Sequence, residues 1–369
     1  MAAIQQLSHV FPLGSRIDAR GHLEIGGCDA VELAREFGTP AYVVAEDDVR
    51  ARARAFVEAL RARHRDFDVL FASKAFPCTA ILRLLAEEGL ACDVASGGEL
   101  SLALRGGFDP ARIYLHGNAK SRAELEEALA AGVGHVVLDS FDDLGRLAAL
   151  AGERGIRQRV LIRVTPGVAG STHAKISTGQ ADSKFGFGLA DAPAAIERAR
   201  ATEALDLVGL HVHLGSQLLS LDAFRPAVEA VAPLGDFPVY DLGGGLGVAY
   251  TAEQHPPSIE EYVEAQASAV RELLGPDKRL LLEPGRALVA NAGVTLYTVE
   301  TVKRNVSTWV GVDGGMSDNL RPMLYGAVYE AVLADRPLAA GEPCHVARLA
   351  VLAGDVLVTP VTGGRGMPL

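Results

Sequence analysis

The chain is short of cysteine, of basic clusters and of long apolar runs, and each shortage removes a class of function. Its four cysteines, Cys28, Cys78, Cys92 and Cys344, stand apart with no CxxC pair among 369 residues. That spacing supplies no zinc-ligand set and no disulfide framework, so no metal is expected, and it suits a reducing cytoplasm. Lysine and arginine total 35 against 46 acidic residues, a net charge of −11 with no K/R-rich stripe, so nucleic acid is not expected as a partner. No run of about 18 uncharged apolar residues occurs, so no membrane span is expected. The opening MAAIQQLSHVFPLGSRIDARG lacks a basic stretch leading into an apolar one, so no secretory signal is expected and the reading is cytoplasmic.

What remains is ordinary globular material, 49% hydrophobic and 22% charged, long enough for one large domain and a smaller one. From about Thr39 to about Asn291, short apolar runs alternate with amphipathic stretches. AYVVA, DVLFAS, ACDVAS, RIYLHG, HVVLDS, RVLIRV, LVGLHVH, PVYDLGG and RLLLEPG read as strands. CTAILRLLAEEGL, GGELSLALRGG and SRAELEEALAAG read as helices between them. Repeated strand–helix alternation means a parallel sheet under helices, and about eight units in roughly 250 residues fits a (β/α)8 TIM-type barrel. A doubly wound open sheet is the alternative. After Asn291 the texture turns β-rich, in GVTLYTVETVK, TWVGVDGG, CHVARLAVL and GDVLVTPV, and GHLEIGG near the start reads as a further strand. The expected division is a barrel over 40–291, an N-terminal segment over 1–39 that joins the β-domain, and a smaller all-β domain over 292–369.

In a barrel, chemistry collects at the carboxyl ends of the strands. Read in order, those ends carry Lys74, Asp93 with Ser96, His116 with Asn118, Arg163, His211 with His213, Asp241 before three glycines, and Glu283 with Arg286. Alternation puts His211 and His213 on one face, and Glu283 and Gly285 on one face. Each residue alone has a bland reading. Lys74 could snorkel past a strand end, Asp93 could cap a helix, and His116 or His211 could be a satisfied core histidine. Lys74 could equally be an amine with a lowered pKa that forms a Schiff base. The glycines Gly243, Gly244 and Gly245 free backbone N–H groups to approach an anion, or simply form a turn, and Ser216 in HLGSQ adds a hydroxyl nearby. EPGRAL sets a carboxylate three residues from a guanidinium, which as a surface pair would be worth little. An amine, an anion cradle and a carboxylate around one pocket suggest pyridoxal 5′-phosphate, which needs a Schiff-base lysine, a phosphate site and a partner for its ring nitrogen. A carboxylate partner, Glu283, keeps that nitrogen protonated and favours decarboxylation over plain racemisation.

Nine segments, in order, resemble the diaminopimelate decarboxylases of the alanine-racemase-like fold type: YVVAEDDVRAR, FASKAF, CDVASGGEL, LHGNAKS, SKFGFG, HVHLGSQ, DLGGGLG, EPGRALVANAG and VDGGMSDNLRPMLYGA. The resemblance runs from about Leu33 to Glu330 and implies a barrel plus a β-domain, with the site at a head-to-tail homodimer interface. It further implies that Lys74 carries the cofactor and that His213 stacks on its ring. Ser216, Gly245 and the Gly285–Arg286 turn would hold the phosphate, Gly243 and Gly244 would be among the cofactor-binding residues, and Glu283 would meet the ring nitrogen. Arg286, Arg321 and Tyr325 would bind a substrate carboxylate, with His116, Asn118 and Asp93 in support. The implied reaction removes CO2 from the D-configured end of meso-2,6-diaminopimelate and yields L-lysine.

The tail departs from the family, which carries Cys-Glu-Ser-x-Asp and later Gly-Ala-Tyr. VLAGDVL gives the best register and sets Val351 and Leu352 where the cysteine and glutamate belong, while Cys344 is followed by His345 and Val346. Three readings therefore stay open: a diaminopimelate decarboxylase, a related decarboxylase of another amino acid, and a non-catalytic homologue that binds pyridoxal phosphate.

Overall fold

Eight of the short apolar runs pair side by side in parallel and close on themselves. The strands are Phe67–Ala72, Ala91–Val94, Ile113–Leu115, His135–Leu138, Gln158–Thr165, Leu205–His211, Val239–Asp241 and Arg279–Leu282. Spatial order follows chain order, and the eighth strand returns to the first through Leu281 opposite Asp68, so the sheet is a barrel. A two-residue strand, Phe187–Gly188, adds beside the fifth. The computed structural model that shows this describes residues 7–168, 183–315, 317–339, 344–347 and 351–360, the last stretch as backbone alone. The described residues form two compact units, one holding Arg50–Gly247 and Pro256–Leu288, the other holding Val248–His255 and the described residues before Arg50 and after Leu288.

The barrel unit follows from local rules. Helices expected from periodicity form over Thr79–Glu87, Gly97–Gly106 and Arg122–Ala131. Serines placed just after strands start several of them. The Ser96, Ser121 and Ser140 hydroxyls each accept the N–H three residues on, which satisfies a donor that no helical carbonyl can reach. Helix Thr79–Glu87 buries Ile81, Leu82 and Leu85 at helical spacing. Inside the barrel, Leu70, Ala91, Tyr114, Val137, Leu161, Val239 and Leu281 form one apolar plug, to which seven of the eight strands contribute, with Val208 of the remaining strand packed against it.

The other unit holds a six-stranded sheet. Along it run Val332–Leu333, Val351–Pro360, Gly293–Arg304, Thr308–Val312 and Cys344–Ala347. Ala41–Val44 pairs antiparallel with Gly293–Leu296 in this sheet. AYVVA, expected among the barrel strands, therefore belongs elsewhere, and the barrel closes on eight strands without it. The strand expected in GHLEIGG is Leu23–Ile25. It pairs with Arg16–Ile17 and Cys28–Asp29 in a separate three-stranded sheet. Tyr297, Val299 and Val312 form a small core with Val302, Val310 and Leu333 against it. Among the described residues, no helix is long and apolar enough to cross a membrane, and Cys28, Cys78 and Cys92 are free thiols.

Candidate active site

Alternation, reset at Gly209 by a bulge in the sixth strand, fixes what stands above the apolar plug. The next inward position toward the carboxyl end of each strand is Ala72, Asp93, His116, Asp139, Arg163, His211, Asp241 or Glu283, and the seven polar ones are at most 8% exposed. A buried ring of this polarity is costly unless its members satisfy one another. They do so in part. His116 Nε2 lies 2.8 Å from Glu283 Oε1 and 3.7 Å from Asp93 Oδ1, though without the alignment of a hydrogen bond. His211 Nε2 lies 3.4 Å from Glu283 Oε2. Arg163 Nη1 is 3.6 Å from Asp139 Oδ1, and its guanidinium stacks over Phe185 at 4.4 Å. Asp241 Oδ1 accepts the Gly243 N–H at 2.9 Å, while its Oδ2 has no hydrogen-bond partner among the described residues.

One step further out stand Lys74 and His213. Lys74 sits in the single 3-10 turn Ser73–Ala75 that follows the first strand. Its Nζ donates to Asp93 Oδ2 at 3.2 Å. The side chain is 42% accessible because it faces a cleft, although protein atoms surround it closely. Burial works to lower its pKa, but Asp93 and Glu283 outweigh burial and raise it. The lowered amine pKa expected for Lys74 is not what this arrangement produces, because the two carboxylates come from strands that the local sequence cannot show. Lys120, in LHGNAKS, makes a useful contrast. It is 3% exposed and its ammonium is saturated by Gly117 O at 2.6 Å, Val137 O at 2.7 Å and Asp143 Oδ2 at 2.7 Å. An ammonium has three donors, so Lys120 holds loops together and has nothing left to offer a ligand.

The carboxylate opposite Lys74 is charged. Burial would raise the Glu283 pKa, but His116 and His211 hold it well below the usual carboxylate range. Burial, and then the Glu283 charge, push Asp241 well above it. Burial drives His211 down to about 4 and His213 well below the ordinary histidine value, with Lys74 and Arg163 adding to the second shift. His213 is held by the glycine run, since the Gly244 N–H donates to His213 Nδ1 at 3.2 Å. The cleft itself encloses about 480 Å3 of atom-free space counted out to its mouth, and Lys74, His213, Ser216, Gly245, Glu283, Gly285 and Arg286 all line it.

The glycines are needed, but not all for the same end. A Cβ on Gly244 would sit 2.2 Å from Glu283 O, and Gly243 has φ +68 with Val212 O at 2.6 Å from its would-be Cβ. The N–H groups of Gly243 and Gly244 are spent on Asp241 and His213. Among the three, Gly245 is the one that lines the cleft. Arg286 is 8% exposed and donates to Ser216 Oγ through Nη2 at 3.0 Å and Nε at 3.3 Å. Asp93 caps no helix, since the cap of the helix that follows is Ser96. Asn118 is exposed and donates to Lys184 O at 3.4 Å.

Arg321 and Tyr325 belong to the other unit. There the Arg321 guanidinium lies 4.4 Å from the Tyr250 ring and 6.0 Å from the Tyr325 ring, and its Nη1 donates to the Tyr250 hydroxyl. Tyr250, seven residues before PSIEEY, carries no sequence signal for this role. Of the tail, the side chains of Val351 and Leu352, the Cys344 side chain and the segment VTGGRGMPL lie outside the described residues. Among the described residues, two clusters have ligand atoms within 4.8 Å of one another: His116, His211 and Glu283, and Asp18, His22 and Asp29. The second already holds a cation, because Arg20 pairs with both of its aspartates.

The profile described as "Pyridoxal-dependent decarboxylase, pyridoxal binding domain" matches residues 46–290. A diaminopimelate decarboxylase of Bacillus methanolicus is 42% identical over 362 aligned positions, covering 93% of this chain and 84% of the relative. That of Actinosynnema pretiosum subsp. auranticum is 46% identical over 385 positions, covering 96% and 85%. Among solved structures, diaminopimelate decarboxylase from M. jannaschii in co-complex with L-lysine superposes with a TM-score of 0.85 at 32% identity, covering 95% of this chain and 87% of that one.

Proposed function

The chain belongs to the pyridoxal-dependent decarboxylases, within the diaminopimelate decarboxylase family, and from that premise we propose that it removes CO2 from the D-configured end of meso-2,6-diaminopimelate to give L-lysine. One observation carries the reading. A lysine amine with a single hydrogen-bond partner among the described residues faces a cleft whose other walls are a buried, ionised carboxylate and a hydroxyl–guanidinium end.

Pyridoxal phosphate fits these walls. Glu283 Oε1 is buried, and His116 Nε2 at 2.8 Å is not aligned to hydrogen-bond it, which leaves the carboxylate able to accept a ring N–H. Ser216, Gly245, Gly285 and Arg286 gather at one end of the cleft and suit a phosphate. Bound, the cofactor supplies the electron sink that takes up the pair left when the carboxyl departs. Lys74 would hold the cofactor covalently through Nζ. Glu283 would keep the ring nitrogen protonated, with His116 and His211 holding its own charge. His213 would back the ring, its tautomer set by the Gly244 N–H. Asp93 orients Lys74 Nζ. Gly243 and Gly244 shape the turn that brings these groups together. Arg286, Arg321 and Tyr325 bind a substrate carboxylate, for which a planar guanidinium is the natural partner.

On the same reading, the cofactor-binding barrel lies within residues 40–291, apart from Ala41–Val44, which pairs in the other sheet, and 1–39 and 292–369 contribute the β-domain. The protein works as a homodimer in the cytoplasm. Incubation with pyridoxal phosphate and meso-diaminopimelate should release lysine and CO2 in equal amounts. Lys74→Ala should lose both the turnover and the visible absorption of the lysine-bound cofactor. Persistence of that absorption in Lys74→Ala would take the cofactor away from Lys74.

A further inference from the structure

We infer that Glu99 is a positioning residue that fixes the approach of Lys74 to Asp93. This rests on the reading of Lys74 as the residue that carries the cofactor. The sequence contains S-x-x-E at three helix starts: Ser96–Glu99, Ser121–Glu124 and Ser258–Glu261. In the second and third, the glutamate returns to its own cap, accepting the Ser121 N–H at 2.9 Å and the Ser258 N–H at 2.8 Å. These are closed capping boxes. The first is open. The Ser96 hydroxyl still accepts the Glu99 N–H at 3.3 Å, but the Glu99 side chain reaches elsewhere. Its Oε2 accepts the Ala95 N–H at 2.9 Å and the Ser73 hydroxyl at 2.7 Å.

Those two donors lie on either side of the Lys74–Asp93 contact. Ser73 immediately precedes Lys74 and is fully buried. Ala95 is two residues past Asp93, on the adjacent strand end, where Ala72 stands opposite Asp93 in register. One carboxylate oxygen therefore ties the lysine turn to the end of the second strand, and the 3.2 Å approach of Lys74 Nζ to Asp93 Oδ2 sits inside that tie. Helix stability does not require it, because the other two boxes show how the same four residues close on themselves. The tie acts on the geometry of Lys74 and touches no substrate.

The test uses Glu99→Ala, Glu99→Gln and Ser73→Ala in the full chain. Glu99→Ala should lower kcat roughly 10- to 100-fold, the scale of a small misplacement of a reacting group, with KM changed by no more than about twofold. Glutamine retains one oxygen able to accept both donors, so Glu99→Gln should stay within about threefold of the parent. Ser73→Ala should reproduce much of the Glu99→Ala loss, and the double variant should be no worse than the poorer single. A second readout needs neither cofactor nor turnover. Competitive acetylation of the cofactor-free protein against pH should show Lys74 titrating lower in Glu99→Ala, as Nζ drifts from Asp93, and close to the parent value in Glu99→Gln. Parent-like kcat and parent-like Lys74 titration in Glu99→Ala would overturn the inference. So would Glu99→Gln as impaired as Glu99→Ala, since charge and not the tie would then be responsible. If Glu99→Ala fails to fold, Ser73→Ala carries the same test. Failure of the cofactor reading itself would appear separately, as visible absorption that survives Lys74→Ala.

Discussion

Exchanging Glu283 for glutamine tests the electron-sink argument at the point where the structure sets its size. The residue is 3% exposed, with His116 Nε2 2.8 Å from one oxygen and His211 Nε2 3.4 Å from the other. Glutamine has the same shape, so the cavity does not collapse. What is lost is the charge that the two histidines hold well below the usual carboxylate range. A hydrogen bond to a charged group contributes about 1.5–3 kcal/mol, and at about 1.4 kcal/mol per factor of ten this gives a fall in kcat of roughly 10- to 150-fold. KM should move little, because Lys74 and the Ser216–Arg286 end of the cleft are untouched. The assay is kcat and KM from CO2 release, with the visible spectrum as a check that the cofactor is held. A Glu283→Gln variant with parent kcat and a parent spectrum would refute the reasoning. A variant that no longer held cofactor would refute it too, since Glu283 would then be a binding residue and not an electronic one. The pH profile gives a second check. A carboxylate whose folded pKa is depressed stays charged until the pH falls through that depressed value, so Glu283 should contribute no limb to kcat between about pH 5 and 8.

Three further outcomes are expected. Arg321→Lys should raise KM for diaminopimelate roughly tenfold with a smaller change in kcat, because a point ammonium cannot reproduce the planar fork; an unchanged KM would give Arg321 a purely structural role beside Tyr250. Gly244→Ala should destabilise by on the order of 2 kcal/mol or more, since its Cβ would meet Glu283 O at 2.2 Å, whereas Gly98→Ala, with nothing nearer than Ser96 Oγ at 3.9 Å, should not; equal urea midpoints for the two would refute the clash. Burial depresses His135 to about 4, below the apolar plug where its ring stacks on Tyr114 at 4.3 Å. The unfolded chain therefore binds a proton between pH 6.5 and 4 that the folded one refuses. This stability is complete above pH 6.5 and is lost as the pH falls toward 4, by up to about 3 kcal/mol. Urea midpoints at pH 7.5 and 5 should diverge less in His135→Asn than in the parent, and an equal divergence would remove His135 from the cause.

The barrel was legible because its strands are short apolar runs that alternate with amphipathic stretches, several of them begun by a capping serine. The same pattern explains the one strand that misled. Ala41–Val44 is also apolar and is also followed by a helix, Glu46–Arg61. Nothing local separates it from a barrel strand. Its partner, Gly293–Leu296, lies some 250 residues away, and only that pairing assigns it to the other sheet. Period-2 reasoning gives faces, and a sheet is defined by partners. The N-terminal strand Leu23–Ile25 shows the same limit on a smaller scale: it was readable as a strand, while its pairing within 13 residues of chain was not.

The site divides along a different line. Placement by alternation was readable, since Lys74, Asp93, His116, His213 and Glu283 all stand at strand ends two residues apart from another inward position. Properties that arise between strands were not. The Lys74 pKa is raised because Asp93 and Glu283 arrive from the second and eighth strands, and the local sequence of FASKAF could support either sign. The glycine run was read as an anion cradle from its missing side chains, yet two of its three N–H groups are taken by Asp241 and His213. Glu99 stands in the same S-x-x-E pattern as two closed capping boxes, and its role differs only because its carboxylate accepts the Ser73 hydroxyl at 2.7 Å. Lys74 and Lys120 make the point most directly. Each is a lone lysine just beyond a strand, and either could serve as a reactive amine by composition. Among the described residues Lys120 meets three acceptors and Lys74 meets one, and the count of acceptors around an ammonium, which no spacing rule records, is what separates the two.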